Sequence, residues 1–169
     1  DDSNLMDYSI STTMGVEQAD VDAVKALDFV AEAEGSWTID ALALYGGKES
    51  VVKLLSVTDS LNRTELIDGR MPAGEGECVA EQTFLDAMSC EIGDKVRFDV
   101  GESYSGMLDS GEYEIVGVVS SPLYISFGRG TSTLGSGKAG YFFCLDKVAF
   151  KGDYYTELAL RLSETRGLN

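Results

Sequence analysis

The 169-residue chain contains no histidine. That absence removes the commonest general base and the commonest metal ligand, and with them serine-histidine and cysteine-histidine hydrolysis and every histidine-bearing zinc site. Basic residues are scarce too: 13 Lys and Arg stand against 29 Asp and Glu, a formal net charge of −16. The deficit is spread out, with twelve acids against three bases in residues 1–60 and seventeen against ten in the rest. Phosphate binding needs a basic face that nothing here supplies, so nucleic acid is no partner, and acidic membrane surfaces would repel the chain. An even acidic coat of this kind serves solubility. The three cysteines, Cys78, Cys90 and Cys144, show no C-x-x-C spacing of the zinc or thioredoxin type, and the sequence assigns no disulfide. Cys144 lies in an apolar run and reads as a buried thiol acting as a small hydrophobe. No apolar run approaches the roughly 18 residues that a membrane helix requires. Asp1-Asp2-Ser3-Asn4 lack the basic start and apolar core of a signal peptide, so the chain reads as a segment of a longer protein.

What is present is a folding sequence. With 44% hydrophobic and 25% charged residues the chain is not a disordered tail. At this length it forms one domain or two small lobes, burying about two-thirds of its unfolded surface. The organising stretch is residues 112–150. Tyr113-Glu114-Ile115-Val116-Gly117-Val118-Val119 has apolar side chains at consecutive positions, the mark of a strand buried on both sides. Ser120-Ser121-Pro122 makes a corner, Leu123-Tyr124-Ile125-Ser126 a second short strand, and residues 128–138 a loop too glycine-rich for helix or strand. Tyr141-Phe142-Phe143-Cys144-Leu145 returns as a strand with bulky groups on both faces.

Earlier in the chain, Met6, Tyr8 and Ile10 alternate with polar residues and predict a first strand with one face in a core. Gly15 is a candidate helix N-cap, and Val16, Val21, Val24, Leu27 and Ala31 recur at helical spacing. The run from Trp37 to Tyr45 reads as a central strand, Gly46-Gly47 as a hairpin turn, and the run from Val51 to Val57 as its antiparallel partner. Residues 59–76 are turn-rich and polar and suggest a lobe boundary. A strand at Cys78-Val79-Ala80 leads into a helix over 82–88 that can share Phe84, Leu85 and Met88 on one side. Ile92-Gly93-Asp94 is a tight turn, and Val96, Phe98 and Val100 alternate in a strand with one solvated face. Leu158, Leu160 and Leu162 alternate in a last strand.

Chemistry-bearing patterns fail one by one. Gly137-Lys138 resembles the end of a phosphate-binding loop, but Ser132 stands where its first glycine belongs and Ala139 replaces the hydroxyl after the lysine. A strand follows it, where a helix N-terminus is needed. The scattered acids give no way to choose a catalytic carboxylate pair. Asp1, Asp2 and Asp7 lack the glycine and the later glutamate of a calcium loop. Trp37, Tyr154 and Tyr155 fit strand alternation better than a carbohydrate platform. No catalytic residue, metal ligand or cofactor is assigned.

In order and spacing, Leu66-Ile67-Asp68-Gly69-Arg70-Met71-Pro72, Gly76-Glu77-Cys78-Val79-Ala80, Ile92-Gly93-Asp94-Lys95-Val96 and the strand from Tyr113 to Val119 resemble the extracytoplasmic domain of ABC-transporter permeases of the MacB/FtsX type. The continuation Ser121-Pro122-Leu123-Tyr124-Ile125-Ser126 with Arg129-Gly130 is similar to a Gram-positive subgroup. The resemblance covers about residues 60–150. It implies an α+β fold: a mixed α/β lobe next to the membrane, built from residues 1–60 plus 140–169, with a mainly β lobe of 61–139 inserted, and the last strand paired in the first lobe's sheet. It also implies a non-catalytic domain on the extracytoplasmic face of a bacterial membrane, part of an integral membrane protein. Its partners would be the transmembrane helices of the same permease, through them a cytoplasmic ATPase subunit, and a second permease copy. The candidate partner or hinge loop comprises Tyr124, Arg129, Gly130, Gly135, Gly137 and Lys138. A ligand-sensing or adhesive surface domain is the alternative, and it would need a concave pocket lined with aromatics.

Overall fold

The glycine pair at 46–47 sets the geometry of the middle of the chain. Both residues have positive φ, +57° and +77°, as a two-residue hairpin turn demands. They join β3 (Thr38–Tyr45) to β4 (Lys48–Ser56), which pair antiparallel along their whole length. The computed structural model describes residues 4–11, 14–109, 111–120 and 140–164. Its other strands are β1 (Tyr8–Ile10), β2 (Val30–Ser36), β5 (Glu65–Gly69), β6 (Glu77–Ala80), β7 (Lys95–Val100), β8 (Glu112–Ser120), β9 (Tyr141–Leu145) and β10 (Glu157–Leu162). Among the described residues the α-helices are α1 (Gln18–Lys25) and α2 (Gln82–Met88). The protein is therefore α+β with a mainly β part.

Seven strands form one mixed sheet in the order β5-β8-β6-β9-β4-β3-β7. Because β7 also pairs with β8, the sheet closes on itself. One strand can serve three neighbours by dividing its length: residues 112–114 of β8 bond β7, 114–118 bond β6, and 117–120 bond β5. Inside the closure, alternate residues of β3, β4, β7, β8 and β9 meet α2 in a single core. Phe143 sits at its centre, edge-on to Phe84 at 4.6 Å and to Phe98 at 4.8 Å. The opposite face of β9 is buried as well, with Phe142 and Cys144 against Val79, Val116 and Val119. Consecutive apolar residues in β8 and β9 are thus explained by two buried faces. The three thiols are buried and free, and burial pushes Cys144 up to about 12.

The second sheet is small, in the order β1-β10-β2. Val21 of α1 packs with Val30, Ala33, Leu158 and Leu160 on one of its faces. As the resemblance implied, the last strand joins a sheet with the first. The partition expected at residues 60 and 140 does not follow the hydrogen bonding, however. β3, β4 and β9 belong to the same sheet as β5 to β8, so those cuts would run through it. The chain passes between sheets at Trp37 and again over residues 151–156.

Three local expectations are corrected. Tyr8 and Ile10 do form β1, but they are 59% and 44% exposed, because β1 is an edge strand and the two-turn helix covers β10 and β2 beside it. The helix starts later and ends sooner than its apolar spacing predicts. Glu17 and Asp20 close a capping box, the helix stops at Lys25, and Leu27 is exposed while Val30 and Ala31 belong to β2. The turn-rich stretch contains β5, whose five residues are all exposed. Gly35 lies inside β2 because the Tyr155 ring occupies the space where a Cβ would stand, only 2.3 Å away.

Candidate functional site: the joint between the two sheets

The candidate loop residues Tyr124, Arg129, Gly130, Gly135, Gly137 and Lys138 fall in 121–139 and lie outside the described residues. The described residues bring together a different constellation, at the seam between the two sheets.

At one end of the seam stands Trp37, the single residue between β2 and β3. Its ring stacks on Phe150 at 5.6 Å with 3° between planes and meets Tyr155 at 4.6 Å. Its indole N–H donates to the Tyr154 carbonyl at 2.9 Å, and its backbone exchanges hydrogen bonds with Ser56. Thr38 N–H donates to Thr156 Oγ1 at 2.7 Å, so both crossings of the chain between sheets are tied at this point.

Farther along β2, alternation puts Glu32 and Glu34 on one face, toward the loop that follows β4. Glu34 accepts three backbone N–H groups, from Asp59 (2.6 Å), Ser60 (2.9 Å) and Leu61 (2.9 Å). Lys147, in the short 3-10 helix Lys147–Ala149 after β9, donates to Glu34 at 3.3 Å and to Asp59 at 2.9 Å. Glu32 accepts from the Ser60 hydroxyl, from Asn4 Nδ2 at 2.7 Å and from Arg161 at 2.9 Å. Leu61, at 0% exposure, is fully buried.

The electrostatics follow from these partners. The Ser60 hydroxyl and the Arg161 guanidinium hold the Glu32 carboxyl down at about 2. Burial works against the charge on Lys147, but Asp59 and Glu34 raise it above the ordinary lysine range. Glu157, on the same sheet beside Ser36, is raised by burial, with Ser36 and Ser9 hydroxyls partly offsetting this.

Two clefts flank the seam. One, of about 490 Å³, is polar and lined by Gln18, Lys25, Glu32, Asp59, Lys147 and Tyr155. The other, of about 510 Å³, is lined by Met14, Tyr104, Met107, Lys151 and Tyr154. Every carboxylate named at the joint already accepts hydrogen bonds within the fold. The arrangement fixes one sheet on the other.

No protein-family model and no curated protein sequence matches the chain. Solved structures do. The extracellular domain of the noncanonic ABC-type transporter YknZ from Gram-positive bacteria aligns with a TM-score of 0.59 at 13% identity, over 90% of this chain and 76% of that one. The periplasmic region of MacB from Actinobacillus actinomycetemcomitans aligns with a TM-score of 0.52 at 10% identity, over 94% and 69%. The chain has the fold of these ABC-transporter extracytoplasmic domains. At such identities the likeness is one of fold, and it spans both sheets, including the region before residue 60 that carries none of the matched motifs.

Sequence reasoning missed the joint. Glu32 and Glu34 alternate with Ala31, Ala33 and Gly35, a strand signal too weakly apolar to stand out. Their partners lie 25 to 129 residues away, at positions that no local pattern connects.

Proposed function

We propose that this chain is the non-catalytic extracytoplasmic domain of an ABC-transporter permease, coupling ATP hydrolysis by a separate cytoplasmic subunit to movement or engagement of a substrate or partner outside the membrane. The observation that carries this reading is the shared fold, with sequence-distant strands β1 and β10 paired in one small sheet against a larger closed one. In such an arrangement a displacement at either flank of the chain reaches the same sheet, and through it the joint. Among the described residues no helix is long and apolar enough to cross a membrane; in this reading the membrane helices and the ATPase lie elsewhere in the transporter. The test uses the full-length protein in intact cells, with Lys48 at the exposed hairpin replaced by cysteine. A membrane-impermeant maleimide labels it from outside; labelling only after lysis overturns the assignment. Deleting residues 130–137 then tests the candidate loop, and undiminished transport removes it from the mechanism.

One observation favours the ligand-sensing alternative: the open cleft lined by Met14, Tyr104, Met107 and Tyr154, about 510 Å³, falls within the size range of small-molecule sites and carries two aromatic rings. Substituting Tyr104 and Met107 by alanine separates the two readings, since sensing depends on that cleft and mechanical coupling does not.

A further inference from the structure

We propose that Glu32 and Glu34 form a latch that holds the small sheet against the closed sheet, and that the two sheets pivot about Trp37 when the latch opens. This goes beyond the transporter reading and does not depend on it.

Three observations converge. First, both covalent crossings between the sheets are bound together at one end of the seam, where Trp37 touches Phe150, Tyr154 and Tyr155. A body attached to another at one point rotates about it unless held elsewhere. Second, the buried apolar clusters do not merge: Val21, Ala33, Leu158 and Leu160 form one core, and the closed sheet holds two others. Among the described residues no single buried cluster spans both sheets; the apolar contact between them is limited to the Trp37 stack at the pivot and the small cavity that Leu61 and Ala159 line, and relative motion is the default for such a connection. Third, what holds them away from the pivot is largely polar: two carboxylates take most of the hydrogen bonds, and Asn4 and Met6 add three more with Ser60 and Asn62. Glu34 is three residues and Glu32 five from Trp37 along β2, so they act at about 10 and 16 Å from the pivot at the usual strand rise. There they grip residues 59–61, with Lys147 bridging Glu34 to Asp59 and Arg161 bracing Glu32 from β10. A carboxylate gathering three N–H groups is an anion in a backbone nest, strong because charge-assisted and lost as a unit if the charge goes.

The geometry makes the two clefts consequences of the latch. The polar cleft has α1 on one wall and residues 59–60 with Lys147 on the other, so opening the latch widens it. Tyr155 lines both clefts, and rotation at the pivot must alter the second one too.

The test labels the folded chain with spin labels at Ala23→Cys on α1 and Lys48→Cys on the hairpin, both exposed, while the native thiols are buried. Latched protein gives one narrow distance distribution. Glu32→Gln with Glu34→Gln keeps the shape of both side chains and removes the charge; the distribution then broadens or shifts, and amide exchange at residues 59–61 rises by about 10- to 100-fold, with β4 and β9 unchanged. An unchanged distribution in the folded double variant overturns the proposal, and so does exchange that rises equally throughout the closed sheet. If the double variant does not fold, Glu34→Gln and Ser60→Ala separately carry the same measurement, and two unchanged distributions overturn the latch.

Discussion

The two sheets are stabilised by different means. The large sheet closes, so its strands leave few unpaired edges, and its interior interleaves Phe84, Phe98, Tyr113 and Phe143. The small sheet has three strands and a two-turn helix, leaves β1 exposed on both faces, and leans on its neighbour through carboxylates, hydroxyls and a lysine. Apolar closure gives the first one core inside the closure and another against the outer face of β9, whereas the second is steadied by directional bonds that a change of charge can release. A domain built this way has one part that keeps its shape and another that can be repositioned.

The largest test removes the centre of the closed core. Phe143→Ala should cost about 3–5 kcal/mol in chemical denaturation and unfold both sheets together, since the small sheet has little to stand on alone. Leu160→Ala should cost about 2–4 kcal/mol but loosen chiefly the small sheet, seen as amide exchange rising in β1, β2 and β10 ahead of β4 and β9. If both variants melt with the same exchange pattern, the contrast between the regions is wrong. Gly35→Ala, which drives a methyl into the Tyr155 ring, should cost about 1–3 kcal/mol and alter the fluorescence of Trp37 packed on that tyrosine.

Acid separates the regions less sharply. Glu32 at the joint and Glu77, paired with Arg70 at the closed sheet, are both held at about 2, below their ordinary 4.5. A carboxyl depressed in the folded state stabilises above its unfolded value and loses that contribution as it is protonated. Stability should therefore fall as pH drops from about 4.5 toward 2, and Glu32→Gln should flatten the part of the fall that accompanies exchange at residues 59–61. The smallest effect has the opposite sign. Burial raises Glu157, so its ionised form costs stability at neutral pH; Glu157→Gln should raise the melting midpoint slightly at pH 7, and the gain should shrink as acid protonates the wild-type carboxyl.

How much could be read in advance depended on how local each cause was. α2, the 46–47 hairpin and the alternation of β7 are written in adjacent residues, and each appears where the pattern places it. The double burial of β8 and β9 was readable for the same reason, as was the pairing of the last strand with the first, through the family resemblance. β2 and β5 were not, because β2 alternates glutamate with alanine and glycine, and β5 is exposed throughout. Nor could the seam between sheets be found, since its contacts arise only once residues 4, 32, 60, 147 and 161 have been brought together by the fold.

Pairing between remote strands also dictates how the chain comes into being. Among the described residues β1 forms a ladder with β10 alone, which leaves the ribosome roughly 150 residues later. Likewise β4 waits for β9 before its parallel edge is occupied. During synthesis the nascent polypeptide therefore presents the unpaired backbone edge of β1 until β10 arrives, and the open flank of β4 until β9 does.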